Sequence, residues 1–284
     1  RAGVLVDNIV FSPFALTRSV LNEVEREFGA TVIDLGGGQT TVAVMRNQEL
    51  QYTNIYQEGG DYITKDISKV LTTSQSIAEN LKFNYGIAYP QDASDKEKFT
   101  VEVIGESTPV EVTERYLSEV VSARLRQIFD RVRQDLERTR ALDLPGGVVL
   151  VGGGAILPGI AELAQEVLGA NTKLFVPNQI GIRNPAFANV ISFVEYVGGL
   201  EEVEKIAQRA VNGEADLRQK PIVVPVSPKR PSVAPSIPKI VASEPSAEEE
   251  GLQEAPAYAA TEENEEPKSN IGEKIRGFFG SMFE

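Results

Sequence analysis

Apolar and polar positions alternate in short blocks through residues 1–200, and the spacing within each block predicts an element. Val4-Leu5-Val6 with Ile9-Val10-Phe11 predicts a strand, and Pro13 to Val24 a helix. Thr31-Val32-Ile33 predicts a short buried strand. Thr40 to Arg46 and Leu50 to Tyr56 alternate on either side of Asn47-Gln48, which predicts a hairpin. Gly59-Gly60 opens a helix to about Leu71, with Tyr62, Ile63, Ile67 and Val70 on one face. A second helix is expected from Ser76 to Tyr85, stopped by Gly86. Phe99 to Ile104 reads as a strand and Thr113 to Arg140 as a long amphipathic helix. Val148 to Val151 is a buried strand, followed by a helix from Leu157 to Leu168 that ends at Gly169. Lys173 to Val176 predicts another strand, and Phe187 to Tyr196 another helix. Strands and helices interleave, so the class is α/β.

Near residue 205 the pattern stops. Pro221, Pro225, Pro228, Pro231, Pro235, Pro238, Pro245, Pro256 and Pro267 accumulate, and residues 241–268 hold nine Glu against one Lys. Such a stretch cannot bury enough apolar surface to offset its ordering entropy. We expect 206–268 to be a disordered linker, Pro-rich and then acidic. That leaves about 200 residues for packed structure, one large domain or two small ones.

Composition narrows the chemistry. The 284 residues include no Cys and no His. Thiolate nucleophiles, Cys-based zinc sites, Ser-His-Asp triads and His general bases are therefore excluded. The formal net charge of −13 is the wrong sign for a general duplex-DNA binder. No run of about 18 apolar residues could form a spanning helix.

Two glycine runs carry the candidate chemistry. Asp34-Leu35-Gly36-Gly37-Gly38-Gln39-Thr40-Thr41 joins a buried strand to a hairpin strand. Consecutive glycines permit φ > 0 and bare backbone N–H groups, which suits phosphate oxygens. An Asp leaving the strand could orient a water on the Mg²⁺ that accompanies phosphates. A tight hairpin turn is the plainer reading, but it needs one or two glycines rather than three. Gly152-Gly153-Gly154 joins the Val148–Val151 strand to a helix, and either a ligand or a tight connection explains it. Glu79 and Lys82 share a helix face and could meet a ribose and a base edge; alternatively Ser76-Ile77-Ala78-Glu79 is a capping box. The long helix carries Arg115, Arg124, Arg126, Arg131, Arg133 and Arg138 among acidic residues. This is either a solvated face or a basic stripe for an acidic peptide.

The last positions form a separate signal. On a helical wheel Ile271, Ile275, Phe278, Phe279, Met282 and Phe283 fall within an arc of about 140°. Beyond a long linker this face has no core of its own, and a bilayer interface is its natural acceptor. A groove on its own domain or on a partner is the alternative. With two basic residues and three glycines, one copy should bind weakly and gain from avidity in a polymer.

These motifs, in this order, resemble the actin-like (ribonuclease H-like) ATPase superfamily, and within it the FtsA family of bacterial division proteins. "DLGGGQTTVAV" is similar to the superfamily's second phosphate loop, "AENLKFNYG" to its ribose and adenine segment, and "VLVGGGAILPGI" to its adenosine loop. The resemblance implies ATP and Mg²⁺ as ligands. It places Gly36, Gly37 and Gly38 at the phosphates and Asp34 at the Mg²⁺ through water. Glu79 and Lys82 fall at the sugar and base, and Gly152, Gly153 and Gly154 at the adenosine. It also implies that a subdomain inserted at about 60–145 receives the C-terminal tail of FtsZ, with Arg124 on that surface. The superfamily's first phosphate loop and the family's own inserted subdomain are not visible. The expectation is therefore the C-terminal half of such a protein: an actin-like half over 1–205, the linker, and an amphipathic membrane helix over 269–284. Low ATP affinity and no hydrolysis are expected of this part alone. The function implied is an adaptor at the cytoplasmic face of the cell membrane, at the division septum. It would tether the FtsZ ring, self-associate into filaments and help assemble the septal machinery, with no nucleic-acid partner. A pilus-type adaptor and a sugar or acetate kinase of the same superfamily are the competing readings.

Overall fold

The computed structural model describes residues 9–211. A five-stranded sheet organises them, built from β1 (Ala30–Leu35), β2 (Thr40–Arg46), β3 (Glu49–Tyr56), β6 (Val148–Val151) and β7 (Thr172–Leu174). The strand order is β3-β2-β1-β6-β7. β1, β2 and β3 form an antiparallel meander, while β6 and β7 join β1 in parallel. Side chains along a strand alternate between faces, and that period divides the core in two. Ile33, Leu35, Val42, Val44, Val148 and Leu150 face one layer; Ala30, Val32, Met45, Val149 and Val151 face the other. The first layer holds α3 (Gly60–Val70), α4 (Gln75–Tyr85), α5 (Glu114–Thr139) and α6 (Ile160–Leu168). The second holds α1 (Ser12–Val20) and α7 (Ala188–Gly198), joined by an edge-on contact of Phe14 and Tyr196 at 5.9 Å.

Several expected elements moved. The helix predicted from Pro13 to Val24 is broken at Leu21-Asn22, and α2 (Glu23–Phe28) starts afresh. Asn22 is the reason: its side chain accepts from the Glu25 N–H at 2.9 Å, and the Glu25 carboxylate accepts from the Asn22 N–H at 3.0 Å. That reciprocal cap satisfies two helix-start donors and fixes a new N-terminus. Ile9-Val10-Phe11 forms no strand, and Val4–Val6 lies outside the described residues. The strand expected from Phe99 to Ile104 is shorter, β4 (Lys98–Val101), and pairs with β5 (Val110–Thr113), a strand the sequence pattern did not predict. The Asn47-Gln48 hairpin is present, with φ of 52° and 62° at its two turn residues. α8 (Glu202–Val211) carries helix across position 205, into the span expected as linker. The rest of that span and the terminal segment lie outside the described residues.

Candidate functional site

The loop after β1 is held from behind by the start of α3. Gly60 N–H donates to Gly36 O at 3.0 Å and Asp61 N–H to Gly37 O at 2.9 Å. Gly59 sits so close that a Cβ there would collide with both carbonyl oxygens. Gly36, Gly37 and Gly38 do not adopt positive φ, contrary to the expectation drawn from their run. Close approach is the reason at Gly36 and Gly37: a Cβ on Gly36 would lie 2.8 Å from Gln39 O, and one on Gly37 3.2 Å from an Asp61 carboxylate oxygen. Among the described residues the N–H groups of Gly37 and Gly38 have no acceptor. They remain available to an anion.

Glu79 and Lys82 do come together, and not as a cap. The N-cap of α4 is Ser74, whose hydroxyl accepts from the Ile77 N–H. The proposed Ser76–Glu79 capping box is therefore corrected: Glu79 turns toward α3 instead. Lys82 Nζ lies 2.7 Å from Glu79 Oε2, and donates to Thr64 Oγ1 at 2.8 Å and Gly60 O at 3.1 Å. Thr64 also contacts the same Glu79 oxygen. Burial alone would raise the Glu79 carboxyl, but hydrogen bonds from Lys82 and Thr64 outweigh it and hold it below the ordinary value. This network fastens α4 to the glycine pair at the start of α3, and so to the phosphate loop.

The second glycine run leaves β6 beside the first, because β6 is the parallel neighbour of β1. Gly152 has φ of 91°, and a Cβ there would strike the Asp34 carboxylate. Both features exclude a larger residue. Gly153–Ile156 forms a 3-10 turn whose Gly154 packs against Leu35. Asp34 is wedged between Gly152 and Asn189, whose Nδ2 donates to Asp34 Oδ2 at 2.6 Å. Burial pushes the Asp34 carboxyl up, and the Asn189 bond partly offsets this.

Together these parts line a cleft of about 450 Å³. Gly36, Gly37, Glu79, Lys82, Gly153 and Gly154 line it; Asp34, Gly38 and Gly152 do not. Sequence reasoning missed Gly59, Gly60, Asp61, Phe83 and Ile156, which also border it. Gly59-Gly60 carried a signal, since a helix rarely opens on two glycines without a close approach. A nucleotide fits this cradle: bare glycine backbone for phosphates, a carboxylate–ammonium pair for a sugar, apolar Ile156 and Phe83 for a base. Among the described residues no cluster of three acidic or metal-binding side chains stands ready for a metal. A Mg²⁺ would be carried by phosphate and water with Asp34 nearby, the usual manner for that ion.

Arg124, which the resemblance places on a partner surface, is engaged within the fold. It makes a two-toothed pair with Asp66, at 2.6 and 3.0 Å, with side chains only 14% and 8% exposed. The other stripe arginines are paired too: Arg115 with Glu119, Arg126 with Glu166, Arg131 with Glu58, Arg133 with Asp130 and Glu137, Arg138 with Asp135. The stripe is thus a set of internal ion pairs rather than a free cationic surface. Ile271, Ile275, Phe278, Phe279, Met282 and Phe283 lie outside the described residues.

A family model described as cell division protein FtsA matches residues 31–192, and one described as its C-terminal part matches 203–284. The chain belongs to the FtsA family. It is 55% identical to the cell division protein FtsA of Streptococcus pneumoniae and 47% identical to that of Enterococcus hirae. These matches cover 100% of the chain in each case but 62% and 61% of the relatives. The chain therefore spans about six tenths of the length of the family members it matches. Among solved structures it is similar to MreB5 of Spiroplasma citri bound to ADP, with a TM-score of 0.56 at 17% identity over 71% of this chain and 60% of that one. It is also similar to a MamK double helical filament, with a TM-score of 0.52 at 15% identity over 67% and 59%. Both likenesses bear on the fold, which is actin-like, and the family match leaves the kinase and pilus-adaptor readings without support.

Proposed function

We propose that this chain supplies the ATP-binding face and the membrane tether of an actin-like division adaptor that links FtsZ to the membrane at the septum. One observation carries the reading: the Lys82–Glu79–Thr64–Gly60 network locks the sugar-and-base wall onto the phosphate loop, so the three motifs form one cleft. The N–H groups of Gly37 and Gly38 would hold phosphate oxygens, and Glu79 and Lys82 the ribose and base edge. Gly153 and Gly154 let the adenosine lie against backbone. Mg²⁺, when bound with ATP, supplies charge neutralisation at the phosphates. The role is binding rather than turnover. The segment inserted at about 60–145 is the proposed receiver of the FtsZ tail, with Arg124 serving structure there. Residues 269–284 are the proposed interfacial anchor, on the strength of their apolar arc, and filament formation would multiply their weak individual affinity.

The test is a titration of the ¹⁵N-labelled chain with ATP and MgCl₂, followed by amide shifts. The expected response is confined to Gly36–Gly38, Glu79–Lys82 and Gly152–Gly154, and Lys82→Ala weakens it by about tenfold, the loss of a charge-assisted contact. Shifts scattered over the surface, or none at millimolar ATP, would refute the cleft.

A further inference from the structure

The cleft offers an anion seat at one end, yet its lining carries net negative charge. Its charged lining residues are Asp61, Glu79 and Lys82. Glu79 and Lys82 neutralise each other, and the Lys82 ammonium also donates to Thr64 and to Gly60 O. Asp61 is the charge left over. The ion pairs among the described residues leave it out. It is the second residue of α3, and its N–H donates to Gly37 O at 2.9 Å, so the phosphate loop holds its backbone. One carboxylate oxygen lies 3.2 Å from where a Gly37 side chain would start, and the other 3.9 Å from that point on Gly37 and on Gly38 alike. These are the two residues whose N–H groups have no acceptor among the described residues.

A carboxylate in the first turn of a helix has a plain role, since it meets the positive end of the macrodipole. That role says nothing about ligands, and the place of this carboxylate does. Two anions brought side by side repel, and a partly enclosed cleft screens them less than bulk water does. A phosphate group on the Gly37 and Gly38 amides would therefore meet Asp61 as a cost. The sign reverses when the phosphate arrives with a divalent cation, because such ions take carboxylate oxygens directly or through water. We infer that Asp61 is a specificity-determining residue, a charge beside the anion seat that rejects a bare polyphosphate and admits one neutralised by a divalent cation. The inference rests on the proposed function of the cleft and deepens it. It places the selection on α3, outside both glycine runs.

The experiment titrates the ¹⁵N-labelled chain with ATP at low salt, once in EDTA and once in MgCl₂, and follows the Gly36–Gly38 and Glu79–Lys82 amides. The quantity read is the ratio of the two affinities. Asp61→Asn removes the charge and keeps the shape, so metal-free ATP should bind about tenfold tighter. ATP with Mg²⁺ should not tighten, so the preference for the metal-bound form falls by at least that factor. Asp61→Ser is a second neutral variant with the same expected result, should the amide disturb the start of α3. Asp61→Glu restores the charge and should keep the parent's preference. Glu162→Gln removes the same charge from the first turn of α6, outside the cleft lining, and should leave the ratio as it is. An unchanged ratio in both neutral variants would overturn the inference. So would equal tightening with and without Mg²⁺, or a Glu162→Gln effect of the same size, since either would assign the change to overall charge. Absence of any ATP response in the parent chain would instead overturn the cleft itself, and the inference with it.

Discussion

Asp34 occupies a site that disfavours its own charge. Its carboxyl is raised chiefly by burial, so the folded state binds a proton more readily than the unfolded chain. The sign follows: ionised Asp34 lowers stability above its folded pKa, and that penalty disappears as pH falls through the folded value toward the unfolded one. Asp34→Asn should therefore raise Tm at about pH 7, and the gain should vanish below about pH 4. Thermal melts of both proteins across that range check it, and equal Tm differences at both ends would contradict the burial argument. Gly59 makes the opposite case, a residue with no chemistry that the loop cannot lose. Gly59→Ala drives a methyl into the Gly36 and Gly37 carbonyls, so a destabilisation of about 1–3 kcal/mol is expected. Loss of the ATP shifts at Gly36–Gly38 should accompany it, read by denaturant melts and the same spectra. Asp34 and the glycines were legible because a run of special residues is a local signal. Asn189 was not: it lies 155 positions from its partner, and an Asn near a helix start reads as a cap.

Helices and strands repeat the lesson with different causes. Apolar patterns placed β1, β2, β6, α3 and α5 because each buries a continuous face, and β3 because it alternates half-buried and exposed positions. β5 escaped, since Val110-Glu111-Val112-Thr113 is four residues long and runs straight into α5. α2 was hidden for a related reason: the apolar spacing continues through Leu21, and only the Asn22 cap breaks it. The stripe on α5 shows where composition misleads, because its arginines face carboxylates brought from α3, the loop before it, α6 and α5 itself. Asp66 and Arg124 join α3 to α5, and Tyr62 lies 5.6 Å beneath the guanidinium. Asp66→Ala strands a buried charge and should cost about 3–5 kcal/mol in urea melts. The Asp66→Leu, Arg124→Leu pair should recover most of that, since a buried pair replaced together is often near neutral. At the β2–β3 hairpin both turn residues hold positive φ without being glycine. Gln48→Gly should stabilise by about 0.5–1 kcal/mol, and a fall in stability would mean its side-chain bonds to Arg26 and Glu23 matter more than the backbone.

Taken as one body, residues 9–211 form an actin-like sheet with a cleft at the ends of its interior strands β1 and β6, and the sequence of the terminal sixteen positions carries a separate apolar spacing. If that arc is the anchor, the parent chain should co-sediment with anionic vesicles at low salt, and Phe278→Glu with Phe279→Glu should leave it in the supernatant. A parent that pellets only when fused to a dimeric carrier would assign the weak single-copy affinity to avidity. Failure even there would remove the membrane role and leave the fold untouched. The parallel pairing of β1 and β6 has a practical consequence. Both glycine loops leave adjacent parallel strands at the same end of the sheet, so one inter-strand spacing of about 4.8 Å sets the distance between their roots. The chain that intervenes does not set it. In the connection from β4 to β5, Gly105 has nothing within 4 Å of where a side chain would start. A fluorescent reporter spliced in at that loop would ride on the protein without detuning the pocket, which makes it a place to attach a label.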